Sequence, residues 1–180
     1  MVEPRKKIIG ILGGSFDPVH KGHVKISKIT IKKITIDKLY WVITKKNPFK
    51  KQTFFSLKKR IEYAKRAVAS LKKIQVLYLD DVVKSSRTID IIKYLIKKRK
   101  PSEIYFIVGS DVLAKFHKWK SWKKIVKLTK LIVFYRYGYD KRISNFTVFK
   151  YLKKNKIVLI NNRPIKVSST SIRNKISKIK

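Results

Sequence analysis

The stretch that decides the fold runs from Ile8 to His23 and reads IIGILGGSFDPVHKGH. Its first part, Ile8–Leu12, is a short apolar run that ends in Gly13 and Gly14, which is typical of a buried strand followed by a tight turn. Its second part leads into a helix, because apolar residues recur at helical spacing between Val24 and Ile36. A strand, a glycine turn and a helix in that order predict the first unit of an α/β fold.

The same alternation continues along the chain. Runs of β-branched and aromatic residues predict further strands, and apolar residues at helical spacing predict helices between them. Strands are predicted at Leu39–Thr44, Ile74–Leu79, Ile104–Val108, Leu131–Arg136 and Ile157–Ile160, helices from Leu57, at Thr88–Lys100 and at Thr170–Ile179, and a loop at Asp80–Arg87. This order predicts a Rossmann-like parallel sheet with helices on both faces, in one domain spanning residues 1–180. In such sheets, ligands bind outside the carboxyl ends of the strands.

Composition excludes several classes of chemistry. The chain has 180 residues and no cysteine, so disulfides, thiolate metal sites and cysteine nucleophiles are excluded. Its 3 histidines limit any histidine-based metal cage to a single site. A hydrophobic fraction of 44% is too high for a disordered basic tail, although the formal net charge is +37.

Two interpretations of this charge stay open. The basic residues could serve a partner that carries phosphates, because Lys and Arg displace counterions from phosphates. The notion that they reflect composition alone is favoured, since Lys is interspersed with Ile almost everywhere instead of forming one block. A basic RNA-binding module is a weaker alternative, because no aromatic RNP motif or arginine-rich helix is present. Under either interpretation the positive field attracts anionic substrates and permits nonspecific nucleic-acid contact.

The N-terminal region superficially resembles a secretory signal. Arg5-Lys6-Lys7 precedes the apolar run, but Asp17-Pro18 stands where small residues would be needed for cleavage. No apolar stretch approaches the roughly 18 residues of a membrane span. We therefore expect a mature, cytoplasmic chain with no membrane partner.

The glycine turn and the helix start predict an anion site. Free backbone N–H groups and the helix dipole favour anions at a helix N-terminus. His20 and His23 are three residues apart and so share one helix face, while Gly22 leaves room between them. Two imidazoles there can donate hydrogen bonds to neighbouring phosphate oxygens. Zinc is disfavoured because no third His or Cys lies nearby, and neither the Walker pattern nor Gly-x-Gly-x-x-Gly is present.

Two motifs carry a resemblance to a known family. Gly14–His23, GSFDPVHKGH, resembles the signature of nucleotidyltransferases with an HxGH motif, most closely the bacterial nicotinate-nucleotide adenylyltransferases. Val167–Arg173, VSSTSIR, resembles the C-terminal Ile-Ser-Ser-Thr-x-Ile-Arg of the same family. The resemblance covers roughly residues 8–175, and the two motifs occur in the expected order.

This resemblance implies that ATP lies across the sheet with its phosphates at the glycine turn. The implied catalytic residues are His20 and His23, which contact the phosphates, and Arg173, which belongs to the motif that closes over the triphosphate. The remaining implied ATP-binding residues are Gly13, Gly14, Ser15, Phe16, Gly22, Gly109, Asp111, Ser169 and Thr170.

The resemblance also implies residues for a second substrate, nicotinate mononucleotide. Trp119 stands where the nicotinate branch carries a tryptophan that stacks on the pyridine ring. Thr88 lies in a stretch similar to the family's Tyr-Thr-x-Asp, with Arg87 in place of the usual aromatic residue. Lys50, at the end of an Asn-Pro-Phe-Lys loop, and Arg136 are candidates for binding the substrate phosphate.

The implied reaction is adenylyl transfer from ATP to nicotinate mononucleotide, giving nicotinate adenine dinucleotide and pyrophosphate. We expect Mg²⁺ to arrive on the ATP phosphates, with no dedicated protein cage, because Mg²⁺ usually keeps several waters and binds substrate phosphates. Nicotinamide mononucleotide and phosphopantetheine stay open as alternative acceptors.

Overall fold

The computed structural model describes residues 7–45, 52–136, 139–152, 156–162 and 167–178. The strands in these ranges are β1 Ile8–Gly14, β2 Lys38–Ile43, β3 Ile74–Tyr78, β4 Glu103–Gly109, β5 Lys130–Phe134 and β6 Ile157–Ile160. The α-helices are α1 Lys21–Lys33, α2 Leu57–Ala67, α3 Asp80–Val83, α4 Thr88–Arg99, α5 Ser110–Leu113, α6 Trp122–Leu128, α7 Thr147–Tyr151 and α8 Ser169–Ser177. Short 3₁₀ turns lie at Phe116–Lys118 and Asp140–Asn145. Within the described ranges, no helix is both long enough and apolar enough to cross a membrane.

The strands of the described chain form one parallel sheet in the order β3-β2-β1-β4-β5-β6. This confirms the predicted Rossmann-like parallel sheet. The order reverses between β1 and β4, which pair from Ile8 opposite Glu103 to Leu12 opposite Ile107. The chain leaves β1 and β4 in opposite directions. This opens a crevice between them at the carboxyl edge of the sheet.

Each strand alternates its side chains between two hydrophobic layers, as the period of a β-strand requires. In β2, Tyr40 and Val42 pack in the layer that contains the buried residues of α4 and α6. Leu39, Trp41 and Ile43 pack in the opposite layer, against α1 and α2. A sheet that is covered on both faces explains why its strands are almost continuously apolar in sequence.

The first helix begins at Lys21, as the His20–His23 motif predicted, and His20 caps it. Two other segments differ from the sequence prediction. The predicted loop 80–87 contains the short helix α3, which Lys84 ends in a left-handed conformation with φ 53°. The fifth strand ends at Phe134, so Arg136 lies in the segment that follows it.

Candidate active site

The two motif histidines lie at the start of α1 and cap it together. The Nδ1 atom of His20 accepts a hydrogen bond from the Gly22 N–H at 3.1 Å. The backbone N–H of His20 in turn donates to Nδ1 of His23 at 3.2 Å, and the two ring centroids lie 4.0 Å apart. A neutral imidazole that accepts at Nδ1 carries its proton on Nε2. The helix start therefore holds two imidazoles, each with an Nε2–H donor.

Both imidazoles are neutral at physiological pH. Burial lowers the pKa of His20 to about 4, with a further decrease from the positive charge of Arg136. Burial also lowers the pKa of His23 to about 3, helped by His20 and Arg136. The rings can therefore donate hydrogen bonds near pH 7 without carrying a charge of their own.

Aromatic packing holds His23 from the core side. Phe16 has a left-handed backbone, with φ 46°, and its side chain is 2% exposed. Its ring lies 4.7 Å from the His23 ring and 5.0 Å from the Trp41 ring. Trp41 Nε1–H donates to Ser27 Oγ at 2.8 Å, and the Ser27 hydroxyl donates to the His23 carbonyl at 2.8 Å. The Phe16 side chain thus supports a histidine from within the core.

The C-terminal motif docks on the loop that precedes α1. Ser169 Oγ donates to the Pro18 carbonyl at 2.9 Å, and Arg173 Nη1 donates to the Asp17 carbonyl at 2.6 Å. A second Arg173 nitrogen, Nη2, donates to Thr170 Oγ1 at 3.0 Å. The structure therefore brings the two motifs together from opposite ends of the chain. The N-terminal end of α8, which favours anions, meets the loop that leads into α1.

A second cluster of polar and charged residues lies at the carboxyl end of β4, on the same edge of the sheet as the histidine pair. Arg136 donates its backbone N–H to Ser110 Oγ at 2.8 Å, and its Nε lies 3.6 Å from Asp111 Oδ1. A Cβ atom on Gly109 would lie 2.3 Å from Asp111 Oδ1 and 3.2 Å from Arg136 Nε, so a side chain at this position would displace both groups. Arg136 also acts electrostatically on His20 and His23. Its proposed contact with the second substrate stays a prediction, and the two histidines lie within the electrostatic field of its charge.

Two further second-substrate candidates, Trp119 and Thr88, lie on the face of the sheet that carries α4 and α6, across the sheet from α1. Trp119 is half-buried and stacks on Phe116 with ring centroids 4.8 Å apart, in the layer that contains α4 and α6. Thr88 is the first residue of α4 and is half-buried. Arg87, which replaces an aromatic residue, donates to Asp90 at 2.7 Å. Lys50 lies outside the described residues.

Sequence reasoning missed Arg60, a residue of α2 that is 1% exposed. Arginine in an amphipathic helix normally lies in solvent, so its residue type gave no reason to select it. Its position did carry a signal, because Arg60 follows Leu57 by three residues and precedes Ala64 by four, on the apolar face.

Asp17 lies in the loop that precedes α1 and is buried. Its buried carboxylate accepts the backbone N–H groups of Phe54 and Phe55 at 2.9 and 2.8 Å. Its own backbone carbonyl accepts from Arg173. One residue therefore connects the turn before α1 to α8 and to the segment that enters α2.

The strand order, reversed between β1 and β4, is that of a doubly wound α/β fold, and the His-Lys-Gly-His start of α1 at this reversal is the pattern expected of its nucleotidyltransferase class. Residues 11–175 match the family described as cytidylyltransferase-like. The chain belongs to this family.

Two relatives indicate to which group of this family the chain belongs. A protein of Pelagibacter ubique, named probable nicotinate-nucleotide adenylyltransferase, is 43% identical over 94% of this chain and 93% of its own length. A protein of Aquifex aeolicus with the same name is 34% identical over 89% of this chain and 98% of its own length. Within the family, the chain therefore falls in the group of nicotinate-nucleotide adenylyltransferases.

A solved structure agrees with the fold. The nicotinic acid mononucleotide adenylyltransferase of Plasmodium falciparum, complexed with NaAD, superimposes with a TM-score of 0.75 at 24% identity. The match covers 96% of this chain and 89% of that protein. At this identity the likeness concerns the fold.

The tautomer and the charge of the two histidines can be tested directly. In ¹⁵N NMR spectra of histidine-labelled protein at pH 7, we expect His20 and His23 to show protonated Nε2 and unprotonated Nδ1. Because their pKa values lie at about 4 and about 3, neither ring should gain a proton as the pH falls from 8 to 5.5. A histidine-containing model peptide titrated alongside should pass through its usual pKa near 6.5. A titration of either ring above pH 6 would contradict this description.

Proposed function

We propose that the protein transfers the adenylyl group of ATP to nicotinate mononucleotide, releasing pyrophosphate and forming nicotinate adenine dinucleotide for NAD biosynthesis. The observation that carries this proposal is the pair of neutral imidazoles, each with an Nε2–H donor, at the start of α1 and beside Arg136. The names of the relatives support the choice of substrates. The cytoplasmic location expected from the sequence is part of the same proposal.

The proposed chemistry needs hydrogen-bond donors more than a general base. The nucleophile is a phosphate oxygen of the mononucleotide, which is already anionic at neutral pH. Its attack on the α-phosphorus breaks the bond to the bridging oxygen, and pyrophosphate leaves with that electron pair. Such transfers depend mainly on alignment and on stabilisation of the developing negative charge. Before ATP binds, with pKa values of about 4 and about 3, His20 and His23 are neutral and offer hydrogen-bond donors.

The cations provide the charge that the neutral rings lack. Arg173 is held at the start of α8 by its bonds to Asp17 and Thr170. Arg136 is placed after β5 by its bond to Ser110 and by the nearby Asp111 carboxylate. Under this proposal the two guanidinium groups stabilise the negative charge of the triphosphate and of the leaving pyrophosphate.

Mg²⁺ is part of the proposal as an ion that arrives with ATP. The imidazole N–H and guanidinium donors at the turn bind phosphate oxygens and not cations. The nearby Asp17 carboxylate accepts from Phe54 and Phe55, and the Asp111 carboxylate lies beside Arg136. Among the described residues, no cluster of three or more His, Asp or Glu is arranged to hold a metal. This donor set fits an ion that stays on the phosphates and its waters. When bound, Mg²⁺ would neutralise part of the phosphate charge.

The choice of acceptor can be measured through pyrophosphate release. With ATP and Mg²⁺, we expect kcat/KM for nicotinate mononucleotide to exceed that for nicotinamide mononucleotide by more than about tenfold, because a site built for a carboxylate rejects the amide. Phosphopantetheine serves as the third acceptor. Comparable rates with all three would contradict the assignment. Tight RNA binding with a steep salt dependence, without pyrophosphate release, would favour the RNA-binding alternative.

We expect His23→Ala to lower kcat at least about 10²-fold, as the loss of one preorganised donor does in other enzymes. The measurement is steady-state pyrophosphate release at saturating ATP and mononucleotide. Lys25→Ala changes an exposed residue of the same helix and is expected to keep wild-type turnover. Near-wild-type kcat in the His23 variant would remove this histidine from the proposed mechanism.

We expect Trp119→Ala to raise KM for the pyridine mononucleotide at least about tenfold while leaving the Kd of ATP within about twofold, because stacking on a base is worth roughly 1–3 kcal/mol. The matched control is Trp122→Ala, which removes a half-buried tryptophan that contacts Tyr151 instead of Phe116. Equal losses for both substrates would argue against stacking of Trp119 on the pyridine ring.

A further inference from the structure

We infer that Arg60 is a positioning residue for the proposed reaction, one that fixes the turn beneath the histidine pair through the backbone. The inference rests on the proposed function for its kinetic consequence and on the contacts below for its structure. Arg60 lies in α2, is 1% exposed, and belongs to neither of the two sequence motifs.

Four backbone carbonyls surround this one guanidinium. Nη1 of Arg60 donates to the carbonyls of Ser15 at 2.7 Å and Thr44 at 2.8 Å. Nη2 donates to Lys45 at 3.2 Å, and Nε donates to Phe55 at 3.2 Å. These carbonyls come from the turn after β1, the segment after β2 and the segment before α2. A single side chain thus joins three chain segments at the carboxyl edge of the sheet.

Each of these bonds sets the orientation of a peptide plane, because the C=O and N–H of a trans peptide point in opposite directions. The peptide between Thr44 and Lys45 shows this: its carbonyl faces Arg60, and its N–H donates to Asp80 Oδ2 at 2.8 Å. The Ser15 carbonyl also faces Arg60, which fixes the peptide that enters Phe16. Phe16 is the residue whose ring packs against His23.

The bonds of Arg60 also stabilise an unusual backbone conformation. Phe16 has φ 46°, in the left-handed region that bulky residues rarely adopt. Such a conformation persists only where the surroundings determine it. Arg60 on the Ser15 carbonyl holds one side of this residue, and the packing of the ring against Trp41 holds the other.

Two carboxylates balance the buried charge. Burial lowers the pKa of Arg60, and the negative charges of Asp17 and Asp80 oppose that shift. Asp17 accepts the N–H groups of Phe54 and Phe55, while Arg60 binds the Phe55 carbonyl. Because Asp17 also accepts from Arg173, contacts run without a break from α8 to the turn beneath His23.

A methionine side chain has a similar length but has no donor for these four carbonyls. A buried carbonyl without a hydrogen bond costs free energy, so its peptide is expected to reorient toward water. Arg60→Met is therefore expected to shift the Ser15–Phe16 peptide and the ring beneath His23. A displacement of about 1 Å near reacting groups costs about 10²-fold in rate. Lysine offers donors at one point only, so Arg60→Lys should recover part of the loss.

The experiment compares Arg60→Met, Arg60→Lys and wild type by pyrophosphate release from ATP and nicotinate mononucleotide, with thermal melting as a check of folding. We expect kcat to fall about 10²-fold in Arg60→Met and about tenfold in Arg60→Lys, with both KM values within about threefold of wild type. Arg66→Met is the matched control, because Arg66 lies on the same helix, is exposed and pairs only with Glu62 among the contacts described for it. It is expected to keep wild-type turnover.

A second readout separates positioning from stability. The ¹⁵N signals of the His20 and His23 rings should shift in Arg60→Lys at a temperature where the variant is fully folded, and should stay unchanged in Arg66→Met. If Arg60→Met does not fold, Arg60→Lys decides the question. A folded Arg60 variant with wild-type kcat and unshifted imidazole signals would overturn the inference. A wild-type protein that releases no pyrophosphate would refute the proposed function instead, and the imidazole signals would still test the role of Arg60.

Discussion

The site depends on the way two histidines cap one helix. Because His20 accepts from Gly22 and donates its own N–H to His23, both rings have their Nδ1 atoms occupied. The same bonds that satisfy the first turn of α1 therefore select the tautomer with a proton on Nε2. Burial and the charge of Arg136 keep both rings neutral. One local constraint thus specifies the orientation, the tautomer and the charge of the two donors.

The rest of the molecule holds this helix start in place and brings cations to it. The crevice between β1 and β4 follows from the reversal of strand order, which sends neighbouring chains to opposite faces of the sheet. From the far end of the chain, α8 adds its N-terminus and Arg173, anchored on Asp17 and Pro18. Beneath them, Phe16 and Trp41 form an apolar support for His23. His23 is therefore held by packing as well as by a hydrogen bond.

The large positive charge acts at two different ranges. Across the surface, a formal charge of +37 raises the local concentration of any polyanion, whatever the origin of the lysines. Within the site, cations such as Arg136 act strongly on their neighbours, since close placement and a low dielectric make them effective. Arg136 shows this local effect by lowering the pKa of both histidines. The charge of Arg60 acts in a different way, because its guanidinium binds backbone carbonyls within the core.

The sequence by itself determined the class of fold, the glycine turn and the histidine pair, because these depend on local periodicity and on residues close together in the chain. It also predicted the second motif, yet spacing alone could not show that Arg173 binds the loop at Asp17, 156 residues away. Only the tertiary structure decided the strand order, the burial of Phe16 beneath His23 and the role of Arg60. Each of these depends on contacts between segments far apart in the chain, and the same arginine in an isolated helix would lie in water.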